Sequence, residues 1–325
     1  MWQKVGKKQK NVQATYPEGV RVVPQKTLWQ YIISNKWLYI LLIPGLLYLL
    51  IYNYLPMFGI VIAFQKFNMV QGIFHSKFIG FDNFKLLFQE PRFYEVFANS
   101  VILSFYNLIF GFPMPIILAV LLNEIKQDIF KRFVQTVSYL PYFISWVVVS
   151  GMLLNYLSQS NGMVNFIIEK LGGEKLPFLM DPKYFRGIMV IANMWKGAGW
   201  GSIIYLAAMS NLDQQVYEAA LIDGANRFQR MRYITIPGIM STIITVLILN
   251  MGTIMNNGFE QIFMLQNSLN LEVSEVFETY TYKQGLMLGN FGYSTAVGLF
   301  KSLVSFVLVM FTNFIARRVG EKGLW

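Results

Sequence analysis

The chain has 325 residues, 55% hydrophobic and only 14% charged, with a formal net charge of +10. A soluble domain carries about 25% charged residues, so the composition excludes an ordinary water-facing globule and points to a polytopic membrane protein. There is no cysteine, which removes disulfides and thiolate metal sites, and the single His75 leaves no histidine dyad or histidine metal cluster.

The positive charge has two readings, a nucleic-acid partner or the enrichment of Lys and Arg on the cytoplasmic side of membrane proteins. With this much apolar sequence the second fits, and no nucleic acid is expected. Residues 1–36 hold seven basic residues, one acidic residue and two prolines. They read as a weakly ordered basic cytoplasmic tail, either an orientation signal drawn to anionic lipid or a segment that binds a partner. The apolar run that follows is too long for a secretory h-region and has no small-residue cleavage site, so it is expected to stay in the protein.

Apolar runs predict six membrane-crossing helices, at 38–60, 99–123, 133–157, 185–210, 238–262 and 292–316. A helical crossing needs about 20 residues, and only helices and closed barrels satisfy the backbone in lipid. The expected fold class is all-α integral membrane, with residues 37–325 as one transmembrane domain. An even count puts both ends on one side. Sixteen of the 27 Lys and Arg then share that side and nine the other, Arg186 at the mouth of the fourth span included, with Lys196 and Lys301 inside spans. The asymmetry places both termini and the loop 211–237 in the cytoplasm. Pro44, Pro113, Pro115 and Pro141 fall within the first three spans. Each removes a backbone donor, which either bends a helix around a cavity or is absorbed by packing.

Three segments face the other side. In Gly80–Phe88, Asp82 is placed to cap a short helix whose Phe84, Leu87 and Phe88 share one face, an amphipathic helix for the outer membrane surface. Met163–Leu171 reads as a helix stopped by Gly172-Gly173. The segment from Gln266 to Gly289 carries Glu272, Glu275 and Glu278, whose three-residue spacing reads as a solvated face.

The polar loop between the fourth and fifth spans is the most specific stretch. Val216, Ala219 and Ala220 fall at helical spacing, and their small side chains let a partner approach the backbone. Glu218 is set to meet a basic group on a partner or among the loop's own arginines. Gly224, after Asp223, has no Cβ and permits a sharp turn. Arg227 and Arg230 are three apart on one face, and Pro237 suits the first turn of the fifth span. The series Glu218-Ala219-Ala220, then Gly224, then Ile234-Thr235-Ile236-Pro237 resembles the EAA loop of binding-protein-dependent ABC importers, through which a permease subunit grips its ATPase. Ile236 stands where that family usually has Leu, apolar for apolar.

Gly80-Phe81-Asp82-Asn83-Phe84, Trp195-Lys196-Gly197-Ala198-Gly199-Trp200 and Tyr293-Ser294-Thr295-Ala296-Val297-Gly298-Leu299 look like the carbohydrate-uptake branch of these permeases. Within it the chain resembles the lipoprotein- or polysaccharide-type sugar permeases of Gram-positive bacteria, over residues 37–325. The resemblance implies a type I importer permease domain in the bacterial cytoplasmic membrane. It also implies a heterodimer with a second homologous permease, two cytoplasmic ATPase subunits that bind ATP and Mg, and an extracellular or periplasmic solute-binding protein. Sugars or oligosaccharides would cross by alternating access. No Gly-x-x-x-x-Gly-Lys-Ser/Thr run occurs in the chain, so it has no P-loop for nucleotide; no enzyme activity, cofactor or metal is expected of it.

For the substrate path, Lys196 and Lys301 fall near mid-depth of their spans, where ionisable groups usually face a cavity or a partner. Tyr142, Trp146, Trp195, Trp200 and Tyr205 supply rings that can stack on sugars, and Asn256, Asn257 and Glu260 supply hydrogen-bonding groups. One reading is a cavity whose lysines favour an acidic sugar such as a uronate. The other pairs a lysine with Glu260 or a backbone carbonyl and gives the aromatics to helix packing. Two further functions compete: an ABC permease for peptides or another solute sharing the same loop, and a membrane-embedded transferase, which would need paired carboxylates or a histidine base.

Overall fold

The computed structural model describes residues 28–318, 320 and 323. The basic tail expected over 1–36 therefore lies outside the described residues up to residue 27. Contacts divide the chain into two units, Met1–Phe58 and Gly59–Trp325.

A short helix, Leu28–Ser34, lies in the first unit and precedes an apolar helical run, Lys36–Phe64, of 29 residues, which continues past Phe58. Asn35 separates them and turns its side-chain amide onto the Tyr31 carbonyl at 2.9 Å. The helix runs through Pro44, and no side chain of Lys36–Leu49 is buried. A helix apolar on every side suits an apolar medium rather than water.

After that run the second unit forms a small antiparallel hairpin, Gln65–Lys66 against Lys77–Phe78, with Gln65 opposite Phe78. The helix Asp82–Gln89 follows. It forms where expected and buries Leu87, but Asp82 does not cap it: the carboxylate pairs with Lys85 at 2.9 Å. The helix Met163–Lys170 also forms. Gly172, at φ +85°, ends it, and the Gly173 N–H returns to the Ile168 carbonyl at 2.9 Å, a Schellman-type stop.

The core runs along the 33-residue helix Pro91–Asn123. Phe93 and Val96 enter one buried cluster with Leu87, Phe277, Tyr280 and Tyr293. Leu103 enters a second with Phe185, Met189 and Ile262, and Ala119 and Val120 a third with Tyr205, Met209 and Ile239. Pro113 does not break this helix. A wide π turn over Asn107–Gly111 precedes it, with the Phe112 N–H reaching back to the Asn107 carbonyl at 2.9 Å, so the ladder steps past the missing donor.

Among the described residues three helices are long and apolar enough to cross a membrane, or five if each of two bent pairs counts as one span. These are Lys36–Phe64, Pro91–Asn123 and Phe291–Arg318, the last close to the expected 292–316. Pro182–Ser210 has the length, 29 residues, but Lys183, Arg186, Asn193 and Lys196 lower its apolarity. The expected continuous span 133–157 is instead two helices, Asp128–Phe143 and Trp146–Tyr156, meeting at 98°. Ile144 and Ser145 adopt extended backbone between them, and the Ser145 hydroxyl caps the second. The expected 238–262 is also interrupted. Arg227–Gly238 meets Met240–Thr253 at 59°, and the chain leaves the helix before a separate helix, Phe259–Leu265. Asn256-Asn257-Gly258 supplies the turn chemistry, with Gly258 at φ +83°.

Candidate functional site

The loop singled out in the sequence folds as a knob. Asp213 starts the helix Gln214–Ile222, its carboxylate accepting from the Gln215 N–H at 2.9 Å. Gly224 then sits at φ +77° with open space where a Cβ would point, so backbone conformation demands glycine here. The Ala225 N–H returns to the Ala220 carbonyl at 2.9 Å. Asn226 opens the second helix, exchanging side-chain bonds with Gln229 at 2.9 and 2.8 Å, a reciprocal capping box. Tyr217 and Thr235 join their hydroxyls at 2.8 Å, tying the two arms together, and Pro237 lies in the first turn of its helical segment. Neither Asp213 nor Asn226 was singled out in the sequence, although each is a cap-forming residue just before a helical run.

Glu218, Ala219, Asp223 and Arg227 are exposed, Ala220 and Arg230 half-buried. Among the described residues Glu218 forms no ion pair, so the loop's own arginines do not hold it. Exposed around it are Ile222, Phe228 and Tyr233, at 87%, 70% and 75%. A knob with an unpaired carboxylate, small residues and large bare apolar side chains has the composition of a docking surface.

A cleft of 580 Å3 opens between Pro91–Asn123, Pro182–Ser210 and Met240–Thr253, with Trp146, Ile254, Asn256, Asn257 and Gly258 also lining it. Its walls are rich in amides. Asn193 donates to the Asn107 side-chain oxygen at 3.3 Å. Asn257 is held by Ser104 at 3.3 Å and by the Ser100 carbonyl at 3.2 Å. Gln261 donates to the Asn257 carbonyl, which leaves its own side-chain oxygen buried without a partner. Asn250 and Asn256 are exposed and line the cleft. Of the residues expected in the path, Trp146, Tyr205, Asn256 and Asn257 lie here. Asn107, Asn193, Asn250 and Gln261 were not expected; amides interrupting apolar runs were the available signal.

Lys196 does not reach the cleft. Its ammonium donates to the carbonyls of Pro141, Tyr142 and Ile144, at 3.3, 2.7 and 2.5 Å, across the 98° break. Tyr142 stacks on Trp200, centroids 4.7 Å apart and 7° from parallel. The lysine also sits 5.5 and 5.6 Å from the Tyr142 and Trp146 ring centres. The helices come together because Gly199 faces the Ser138 carbonyl, which a Cβ would strike. This group matches the backbone-carbonyl reading of Lys196. Trp195 and Glu260 are exposed and line neither this cleft nor the cavity beside Lys301.

The acidic segment is not the solvated face expected. Glu275 is 4% exposed, with Arg92 on one oxygen and Lys283 on the other, each at 2.7 Å. Asn99 donates to the Glu272 and Glu275 carbonyls and accepts from Arg186 at 2.7 Å. Glu278 pairs with Lys301 at 2.5 Å, so the acidic partner of that lysine is Glu278 and not Glu260. Nearby Tyr280 bonds the Tyr293 hydroxyl at 2.9 Å, and burial pushes its own hydroxyl above the usual range. Only Glu272 of the three carboxylates is exposed.

Residues 111–321 match the family described as binding-protein-dependent transport system inner membrane component. The chain is 46% identical over 291 residues to protein LplB of Bacillus subtilis (strain 168), covering 90% of this chain and 92% of that protein. It is 44% identical over 301 residues to the polygalacturonan/rhamnogalacturonan transport system permease protein YteP of the same organism, covering 93% and 94%. Among solved structures it is similar to a chain of a bacterial alginate ABC transporter in complex with an alginate pentasaccharide-bound periplasmic protein. The TM-score is 0.84 at 39% identity, covering 91% of this chain and 99% of that one.

Proposed function

The chain belongs to the inner-membrane components of binding-protein-dependent transport systems, and on that premise we propose that it is one permease subunit of an ATP-driven oligosaccharide importer. The knob at 211–237 is its handle for the motor. The reading rests on one observation above the others: a capped, glycine-turned helix pair that exposes Glu218 without an ion partner beside Ile222 and Phe228. Glu218, Ala219, Ala220, Asp223, Gly224, Arg227, Arg230 and Pro237 form or shape that surface.

In this reading residues 37–325 make six crossings, two of them broken, with both termini and the knob in the cytoplasm, as the bias of Lys and Arg favours. A second, related permease completes the pathway. Two ATPase subunits bind ATP and Mg, and a solute-binding protein delivers the sugar. Closure of the ATPases moves the knob and with it the Pro182–Ser210 and Met240–Thr253 helices on either side, so the amide-lined cleft opens to one face and then the other. The cleft suits a saccharide: amides meet hydroxyls, while half-buried Trp146 offers a ring surface. The named relatives handle a polygalacturonan and alginate, which favours an oligosaccharide bearing carboxylates.

Co-purification tests the handle. The expected companions are one related permease and a P-loop ATPase. Glu218→Arg combined with Gly224→Trp should lose the ATPase and abolish uptake while the two permeases stay together. Retention of both the ATPase and uptake would overturn the assignment.

A further inference from the structure

Lys301 and Lys196 both lie at mid-span, yet their donors are used differently. An ammonium has three N–H bonds. Lys196 spends all three on backbone carbonyls. Lys301 has a single partner among the described residues, Glu278 at 2.5 Å. Its remaining donors lie at a cavity of 670 Å3 that also exposes Thr281, Thr295 and Ser302.

The acid in that pair is held loosely compared with its neighbour. Glu275 has a cation on each oxygen, as expected of a fixed structural clamp. Glu278 has Lys301 on one oxygen, and its other oxygen is buried with no partner among the described residues. A buried acceptor without a donor bears its desolvation cost uncompensated, so this carboxylate is the easier of the two to displace. Asn256, in the interruption after Met240–Thr253, lines this cavity and the amide-lined cleft alike. The lysine's cavity and the cleft therefore adjoin at Asn256.

We infer that Lys301 is the carboxylate-recognising residue of the pathway, binding the uronate group of an acidic saccharide in exchange for Glu278, with Thr281 and Thr295 meeting sugar hydroxyls. One carboxylate replaces another on the ammonium, so its pairing is conserved through the exchange. Glu278 swings to water in the opened cavity and returns when the sugar leaves. A neutral sugar cannot displace it. This selectivity rests on the transport reading, but the two fail differently.

The chain has no cysteine, and Ser302 is exposed, so Ser302→Cys in the assembled complex gives one reporter thiol on this chain. Trigalacturonate should slow its labelling by an anionic methanethiosulfonate at least five-fold, and trigalacturonate methyl ester should not. Adding Lys301→Met should remove the protection, and Lys301→Arg should restore most of it. In proteoliposomes Lys301→Met should raise the KM for trigalacturonate at least ten-fold and erase the preference for acid over ester. Absent labelling, equal protection by acid and ester, or protection that survives Lys301→Met would overturn the assignment. A wild-type complex that moves no oligosaccharide would instead sink the transport reading, and this inference with it.

Discussion

Replacing Lys196 by methionine keeps most of the aliphatic stem and removes the three donors that bridge the 98° break between Asp128–Phe143 and Trp146–Tyr156. Hydrogen bonds to a charged group contribute about 1.5–3 kcal/mol each. Two of the three are short, at 2.7 and 2.5 Å, and one is long, at 3.3 Å, so the gross loss is about 3–6 kcal/mol. Two terms reduce it. The ammonium no longer has to be desolvated, and the freed carbonyls sit at a break in the helix whose backbone can adjust to find other donors. A net destabilisation of about 2–4 kcal/mol remains. It should appear as a lower unfolding midpoint when the assembled complex in mild detergent is titrated with SDS. Lys196→Arg should recover less than half, because a planar guanidinium cannot point three donors at carbonyls gathered round one atom. Uptake of trigalacturonate and of its methyl ester should fall together, since Lys196 fixes the hinge and meets no sugar. A Lys196→Met complex within about 0.5 kcal/mol of wild type, or one that lost only the acidic sugar, would refute this account.

Gly199→Ala should destabilise by about 1–3 kcal/mol, because its Cβ meets the Ser138 backbone in a crowded crossing. Gly197→Ala, with nothing within 4 Å, should be neutral or stabilising by up to about 1 kcal/mol; the same SDS titration reads both. Gly224→Ala forces a side chain into φ +77° at a cost of about 1–2 kcal/mol, and should lower transport-coupled ATP hydrolysis without separating the two permeases. Glu275→Gln leaves Arg92 and Lys283, each about 30% exposed, facing a neutral amide. Solvent at the cations reduces the usual penalty for breaking a buried pair, so a loss of about 1–3 kcal/mol is expected in the titration.

Local patterns gave up their meaning from sequence. The last long helix was legible because Phe291–Arg318 is apolar and uninterrupted, and the Gly172-Gly173 stop because a positive φ is needed there. The knob was legible because Glu218, Gly224 and Pro237 keep fixed separations within one loop. What stayed hidden depends on partners far along the chain. The run 133–157 is apolar throughout, and Pro141 shows only that a bend is allowed. The 98° break is stable because an ammonium 52 to 55 residues away takes the freed carbonyls. Glu275 looked solvated because its cation Arg92 is 183 residues distant.

The same long-range pairing separates two kinds of charge that sequence position cannot distinguish. Lys196 and Glu275 are each saturated, one by three carbonyls and the other by two cations, and a saturated group holds helices in place. Lys301 and Glu278 are each incompletely paired, and both line one cavity. A donor left over at a cavity, beside an acceptor oxygen buried without a partner, is poorly suited to a scaffold, because the same pair with its remaining valences filled would be more stable. It is well suited to a site that must release one ion to take another, which is why specificity is sought at Lys301 and rigidity at Lys196.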